Sequence, residues 1–306
     1  MEFSHKSVLL DEAIDSLRIK PDGIYIDGTA GGAGHSTEIA KRLSSGKLVA
    51  IDRDPDAVRV ATERLAGLNA TVVQGNFTEM GEIAERLGIS QVDGVLLDLG
   101  TSSWQLDNAA RGFSYHKDAL LDMRMSQSGA TASELVNNLS LNALTEILRN
   151  YGEEKFAGRI AASIVKQRQI KRIETTIELA EIVSNSVPAA AKRDGHPARK
   201  TFQAIRIAVN DELKAIEEGI DTAFGLLAVG GILSVITFHS LEDRIVKHRF
   251  AEFCRGCTCP PDFPICVCKN KPRARLVNRK PIIPDRQETE ENPRSRSAKL
   301  RCVMKI

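Results

Sequence analysis

No apolar run in this sequence is long enough to cross a bilayer. The longest near-apolar stretch, "LLAVGGILSVI" at 226–236, is interrupted by a double glycine, and a spanning helix needs about 20 such residues. The N-terminal "MEFSHKSVLLDEAIDSL" is broken by charges and offers no continuous apolar core of a secretory signal. Repeats at solenoid periods are absent. Cysteine is nearly absent outside one window, "CRGCTCPPDFPICVC", which holds five of the six. These absences argue against a membrane protein, a secreted disulfide scaffold and a repeat array, and the expectation is a cytoplasmic chain without a membrane partner.

What is present is ordinary for a folded protein: 42% hydrophobic and 27% charged residues rule against a disordered chain. At 306 residues there is room for one large domain with an insertion, or for two. The net charge of +2 conceals an asymmetry, because residues 155–206 carry +7 and residues 254–306 carry +8, leaving −13 for the remainder. Such runs are often solvated surface. Two of them flanking an acidic core point toward a polyanionic substrate such as RNA.

From residue 24 to 100, short β-rich runs alternate with helical patterns. The strands read "IYID" (24–27), "KLVAID" (47–52), "ATVVQG" (70–75) and "VDGVLLDLG" (92–100), with helices expected over 36–44, 55–66 and 79–87. From about 104 to 220 the patterns are helical only. Alternation resumes at "GGILSVITF" (230–238), a helix over 241–253 and a last strand in "AKLRCVMKI". The expectation is an α/β doubly wound sheet, 1–105 with 216–306, split by a helical insertion at 106–215. A cysteine-rich basic insertion occupies 254–280.

The first strand runs into "GTAGGAGHS", glycine-rich as a loop must be if backbone N–H groups are to approach a ligand. Asp52 ends the second strand, where a carboxylate can accept both hydroxyls of a ribose; that suits a nicotinamide dinucleotide and S-adenosylmethionine equally. Two features separate them. Thr37 stands where a dinucleotide loop expects its third glycine, and Asp27, just before the loop, repels a pyrophosphate but suits an ammonium and a sulfonium. Phe77 after the third strand has an aromatic face for an adenine, or belongs to the core. Asp98 closes the fourth strand at the edge where open α/β sheets bind ligands.

The segments "YIDGTAGGAGHS", "LLDLGTSSWQLD", "RGFSY", "YGEEKFAGRIA", "HPARKTFQAIRIAVNDEL", "FHSLEDRIVK" and "ENPRSRSAKLR" occur in an order that resembles one family across nearly the whole chain. It is the bacterial 16S ribosomal RNA cytosine-N4 methyltransferases, which modify cytidine 1402 of the small ribosomal subunit. The resemblance implies a Rossmann-like class I methyltransferase with an all-helical insertion that recognises RNA. It implies S-adenosylmethionine contacts at Ala33, Gly34, His35, Asp52, Phe77, Asp98 and Gln105. Ala33 stands where relatives often carry glycine, which alanine replaces without strain if its φ is negative.

Amine methyltransferases often present a D-P-P-Y-like turn after the fourth strand; here the turn is "DLGTSS". Asp98, Ser102 and Ser103 are the candidates to line the target amine or the methionine end of the cofactor, and His239 to contact the base or its phosphate or to serve as a hydrogen-bonded structural histidine. Ser240 with Asp243 reads as an N-cap pair. In "TFQAIRIAVNDEL", Phe202, Ile205, Val209 and Ile216 form one apolar stripe, while Gln203, Arg206 and Asn210 face elsewhere, near Arg199 and Lys200, as solvated surface or as an RNA guide. Cys254, Cys257, Cys259, Cys266 and Cys268 have spacings at which thiolates converge on zinc. The activity implied by the resemblance needs no metal, and no metal ligand is assigned. Two other classes stay open: a ribosome-assembly factor that senses S-adenosylmethionine without turnover, and an NAD-dependent oxidoreductase.

Overall fold

The computed structural model describes residues 7–189, 195–259 and 267–306. The chain divides into two compact units, Met1–Gly100 with Leu213–Ile306, and Thr101–Glu212. In the first, α1 (Leu10–Leu17) precedes β1 (Ile24–Asp27), followed by α2 (Gly34–Lys41), β2 (Lys47–Asp52), α3 (Pro55–Arg64), β3 (Ala70–Gln74), α4 (Met80–Arg86) and β4 (Val92–Asp98). The second unit contributes α5 (Ser103–Asp107), α6 (Ala132–Asn138), α7 (Leu141–Gly152), α8 (Ala157–Arg168), α9 (Thr176–Ser186) and α10 (Arg199–Asn210). The first then resumes with α11 (Glu212–Leu226), β5 (Leu227–Thr237), α12 (Ser240–Phe253), β6 (Ala274–Leu276), α13 (Arg286–Glu291) and β7 (Lys299–Lys305).

The strands lie in the order β3-β2-β1-β4-β5-β7-β6, with β1 to β5 parallel and β7 antiparallel to both neighbours. A parallel sheet covered on both faces needs strands apolar on both sides. That is how these read. Ile26, Val49, Ile51, Val95 and Leu97 face a core closed by Met80 and Ile83 of α4, Ile216 and Ile220 of α11, and Val246 and Phe250 of α12. Their neighbours Tyr25, Leu48, Ala50 and Leu96 face the other core, closed by Ile14 and Leu17 of α1 and Ile39 of α2. Crossovers that alternate in this way bring the carboxyl ends of β1, β2 and β4 to one edge.

Several expectations need correction. The strand after the helical stretch begins at Leu227, three residues early, and turns through Gly230 at φ +86° before pairing along β4. The basic tail contains β6, whose three residues are too few to show a periodicity. The stripe from Phe202 to Ile216 is not continuous. α10 ends at Asp211, left-handed at φ 49°, so Phe202 and Ile205 pack in the helical unit while Ile216 packs under the sheet.

The helical unit has its own core, including Leu144, Leu148, Ile160, Ile164, Leu179 and Val183. Thr131 with Glu134 and Thr175 with Glu178 close capping boxes at α6 and α9. No helix among the described residues is long and apolar enough to cross a membrane.

Gly219 on α11 sets a close approach: a Cβ there would lie 2.3 Å from Phe77 Cδ2 and 2.4 Å from Cε2. Alanine gains about 1 kcal/mol of helix propensity over glycine, but overpacking a core costs typically about 1–3 kcal/mol. Phe77 is 9% exposed and hemmed in by the core, so the overlap wins. Gly219→Ala is expected to lower the melting temperature by several degrees; an unchanged or raised melting temperature would contradict this packing.

Candidate functional site

The loop after β1 is held by the strand tips around it. Gly28 N–H donates to Leu96 O and Ala30 N–H to Ile51 O, while Thr29 Oγ1 accepts the Asp98 N–H at 2.6 Å. Gly31 N–H donates to Asp52 Oδ2 at 2.7 Å, and Asp54 N–H to Asp52 Oδ1 at 2.9 Å. Asp27, 1% exposed, accepts the Ser36 hydroxyl at 2.6 Å and the Thr29 N–H at 3.1 Å. The loop is therefore stitched to β1, β2 and β4 through Asp27, Asp52 and Asp98.

Ala33 is the N-cap of α2 and sits in the left-handed region at φ 60°, ψ 26°. The negative φ that would make alanine harmless is not found. A left-handed alanine is strained by about 1–2 kcal/mol, which is why glycine suits this position. Gly34 is constrained by space, since a Cβ would lie 2.0 Å from Ser7 Oγ. His35, 5% exposed, has Nε2 3.1 Å from Val8 O and Nδ1 3.7 Å from Asp98 Oδ2.

Burial drives the Asp98 pKa well above the usual carboxylate range, with repulsion from Asp27 and Glu242 adding to it. Its side chain is 25% exposed, yet Oδ1 is buried without a hydrogen-bond partner among the described residues. Burial raises Asp27 and lowers the neighbouring His35, so the histidine is a poor counter-charge. Burial also lifts Asp52 to about 6, against the opposing pull of the Asp54 and Gly31 N–H groups. Desolvated carboxylates with raised pKa values stabilise an incoming cation.

The sequence reading missed Glu242. It is fully buried, accepts the Phe238 and His239 N–H groups at 2.7 and 3.2 Å, and lies at the N3 position of α12. His239, not Ser240, is the N-cap, with Nε2 3.1 Å from Glu242 Oε1. Asp243 instead binds Lys299 at 2.9 Å and Arg301 at 2.7 Å on β7. The H-S-L-E spacing carries the capping-box signal, hidden by a histidine where serine or threonine is usual.

Within the helical unit, Ser102 caps α5 and shares a capping box with Gln105, whose Oε1 accepts the Ser102 N–H at 3.1 Å. Ser103 is the first residue of that helix. The face of Gln203, Arg206 and Asn210 is not a solvated one. Asn210 is 6% exposed and binds Met125 N and Met123 O, and Gln203 donates to Tyr151 O. Arg206 holds Glu212 through two bonds of 2.9 and 3.0 Å and reaches Thr101 Oγ1 at 3.4 Å. Arg199 remains exposed. Of the cysteines, Cys266 lies outside the described residues, and Cys257, Cys259 and Cys268 have sulfurs within 4.8 Å of one another.

The sequence matches the MraW methylase family over residues 2–306. It is 54% identical to a ribosomal RNA small subunit methyltransferase H of Lachnospira eligens, covering 100% of this chain and 99% of the relative. The identity is also 54% to the protein of that name from Clostridium botulinum, over 100% of both chains. The chain belongs to the MraW methylase family. An rRNA methylase structure from Streptococcus thermophilus aligns over 98% of each chain with a TM-score of 0.45 and 10% identity.

As an MraW family member the chain is a Rossmann-like, S-adenosylmethionine-dependent methyltransferase, and the oxidoreductase and non-catalytic alternatives are not favoured. The carboxylate edge fits the cofactor: Asp98 Oδ1 is an acceptor in want of a donor, and no pyrophosphate has to be neutralised.

Two outcomes follow for this edge. Ala33→Gly should raise stability by about 0.5–1 kcal/mol, because relief of the left-handed strain outweighs the entropy of a freer unfolded chain; calorimetry that finds a loss would contradict the φ of this residue. A carboxyl with a raised folded pKa stabilises the fold only while protonated. The Asp52 contribution, at most about 3 kcal/mol, is thus present below pH 3.8 and lost as pH rises through about 6. The cationic cofactor prefers the ionised form, so its affinity should rise through the same window, and more steeply than that of S-adenosylhomocysteine, whose sulfur is neutral. Equal slopes in titration calorimetry would contradict this electrostatic role.

Proposed function

We propose that this chain methylates the exocyclic N4 amine of cytidine 1402 in the 16S ribosomal RNA of the small ribosomal subunit, in the cytoplasm. The observation that carries the reading at the site is the desolvated Asp98 carboxyl at the tip of β4, crowded by Asp27 and Glu242 and facing a histidine that burial keeps neutral. Support for the substrate comes from the names of relatives at 54% identity, which specify small-subunit ribosomal RNA.

Bound S-adenosylmethionine supplies an electrophilic methyl on a sulfonium. Asp52 would accept hydroxyls of its ribose, with the backbone of Ala33 and Gly34 close by, and Asp27, His35 and Asp98 would face its charged end. Phe77 is committed mainly to the core, so its share in adenine binding is its exposed 9%. Most of the rate is expected from orientation, worth roughly 7–11 kcal/mol when amine and methyl are held at attack distance. Asp98, with its raised affinity for protons, is suited to accept an amine hydrogen and localise the lone pair. The roles of Ser102 and Ser103 rest on their place in the turn after β4 and that of His239 on its place after β5, while Gln105 is assigned to the cofactor from the family motif.

RNA binding is assigned to the basic segments 155–206 and 254–306. In the helical unit Lys155, Arg159, Lys166, Lys171, Arg172 and Arg199 are exposed. Arg206 leaves that set because it is tied to Glu212.

The deciding assay is transfer of labelled methyl from S-adenosylmethionine to small subunits that lack the modification, with the labelled nucleoside identified. N4-methylcytidine at 1402 is expected. Asp98→Asn should lower saturated turnover by 100-fold or more, the scale of general acid–base and electrostatic contributions. Loss of cofactor affinity with turnover intact at saturation would reduce Asp98 to a binding group, and label at another nucleoside would overturn the assignment.

A further inference from the structure

We propose that Cys257, Cys259 and Cys268 form a three-thiolate site for a zinc ion, separate from the methyl-transfer edge. The three Sγ atoms lie within 4.8 Å of one another, and Cys257 Sγ and Cys268 Sγ are 3.6 Å apart. Zinc–thiolate bonds of about 2.3 Å at tetrahedral angles place sulfurs roughly 3.8 Å apart, whereas a disulfide requires about 2.05 Å. The geometry is that of converging ligands and not of a cross-link.

The backbone around these sulfurs is arranged to hold negative charge. Cys268 Sγ accepts the N–H groups of Thr258 at 3.3 Å and Asn270 at 3.5 Å, and Cys259 Sγ accepts those of Val267 and Cys268, both at 3.4 Å. Thiolate is the form that binds metal. Three thiolates on a divalent ion leave a net charge of about −1, which the exposed Arg255, Lys269 and Lys271 offset.

The two limbs are pre-set for the ion. Arg273 N–H donates to Phe253 O at 2.9 Å, and Asn270 Nδ2 to Gly256 O at 2.8 Å, closing the base of the loop below the sulfurs. Cys254 does not take part. It is outside the cluster, and burial raises its thiol, as expected of a packing residue. Soft thiolate donors of this kind select zinc over magnesium or calcium. With three protein ligands among the described residues, the fourth tetrahedral position falls to a further donor.

Full-length chain without a metal-binding tag, purified in reductant and passed through dilute chelator, should retain about one zinc per chain by elemental analysis. Cys257→Ser and Cys268→Ser should each lower retention at least tenfold, and Cys254→Ser should leave it unchanged. Cobalt added to stripped wild-type protein should give thiolate-to-cobalt charge-transfer absorption, a readout that survives if the serine variants fold poorly. Zinc that washes out equally from wild type and Cys257→Ser would overturn the proposal. So would the absence of that absorption, or a Cys257–Cys268 cross-link found by mass spectrometry in the protein as purified.

Discussion

Repulsion among carboxylates gathered at the strand tips is the constraint around which the sheet edge is organised. Asp27 and Glu242 are withdrawn from water beside the partly exposed Asp98, and His35, the basic side chain that Asp98 faces, is itself discouraged from charging. Such a grouping costs stability in the ligand-free state. It persists because short-range donors hold each member in place: Ser36 and Thr29 on Asp27, the Gly31 and Asp54 N–H groups on Asp52, the Phe238 and His239 N–H groups on Glu242. Asp98 Oδ1 receives no such donor among the described residues. A methyl donor bearing a fixed positive charge meets that deficit, and strain held at the edge becomes affinity for a cation.

Much of this was legible in the sequence, for a physical reason. Strands buried on both faces must be apolar throughout, so "KLVAID" and "VDGVLLD" announce themselves, and each ends on the aspartate that the loop then uses. What could not be read is what depends on three-dimensional proximity. The left-handed φ of Ala33 is invisible in a residue that usually avoids it. The role of Glu242 depends on His239 capping a helix in place of a hydroxyl residue, and β6 is stabilised by its pairing with β7 more than by any pattern of its own.

Helix faces were the least readable element. Gln203, Arg206 and Asn210 are polar and correctly spaced for a solvated stripe, but polarity serves equally well to satisfy buried backbone groups. Asn210 spends its amide on Met123 and Met125, and Gln203 reaches the Tyr151 carbonyl. A sequence shows that a side chain has donors without showing who receives them. The basic residues left exposed on α8, Arg159 and Lys166, carry the stronger claim to a polyanion.

Arg206 has a consequence for how the chain assembles. Through Thr101 and Glu212 it draws together the first and last residues of the helical unit. β4 and β5 can pair only after the intervening chain has been brought round on itself. A segment that collapses early with its ends clasped behaves kinetically as a much shorter tether, and for a roughly eightfold shortening the entropic saving in closing the sheet is roughly 2 kcal/mol. Where the helical unit folds first, the interruption hastens completion of the very sheet it interrupts.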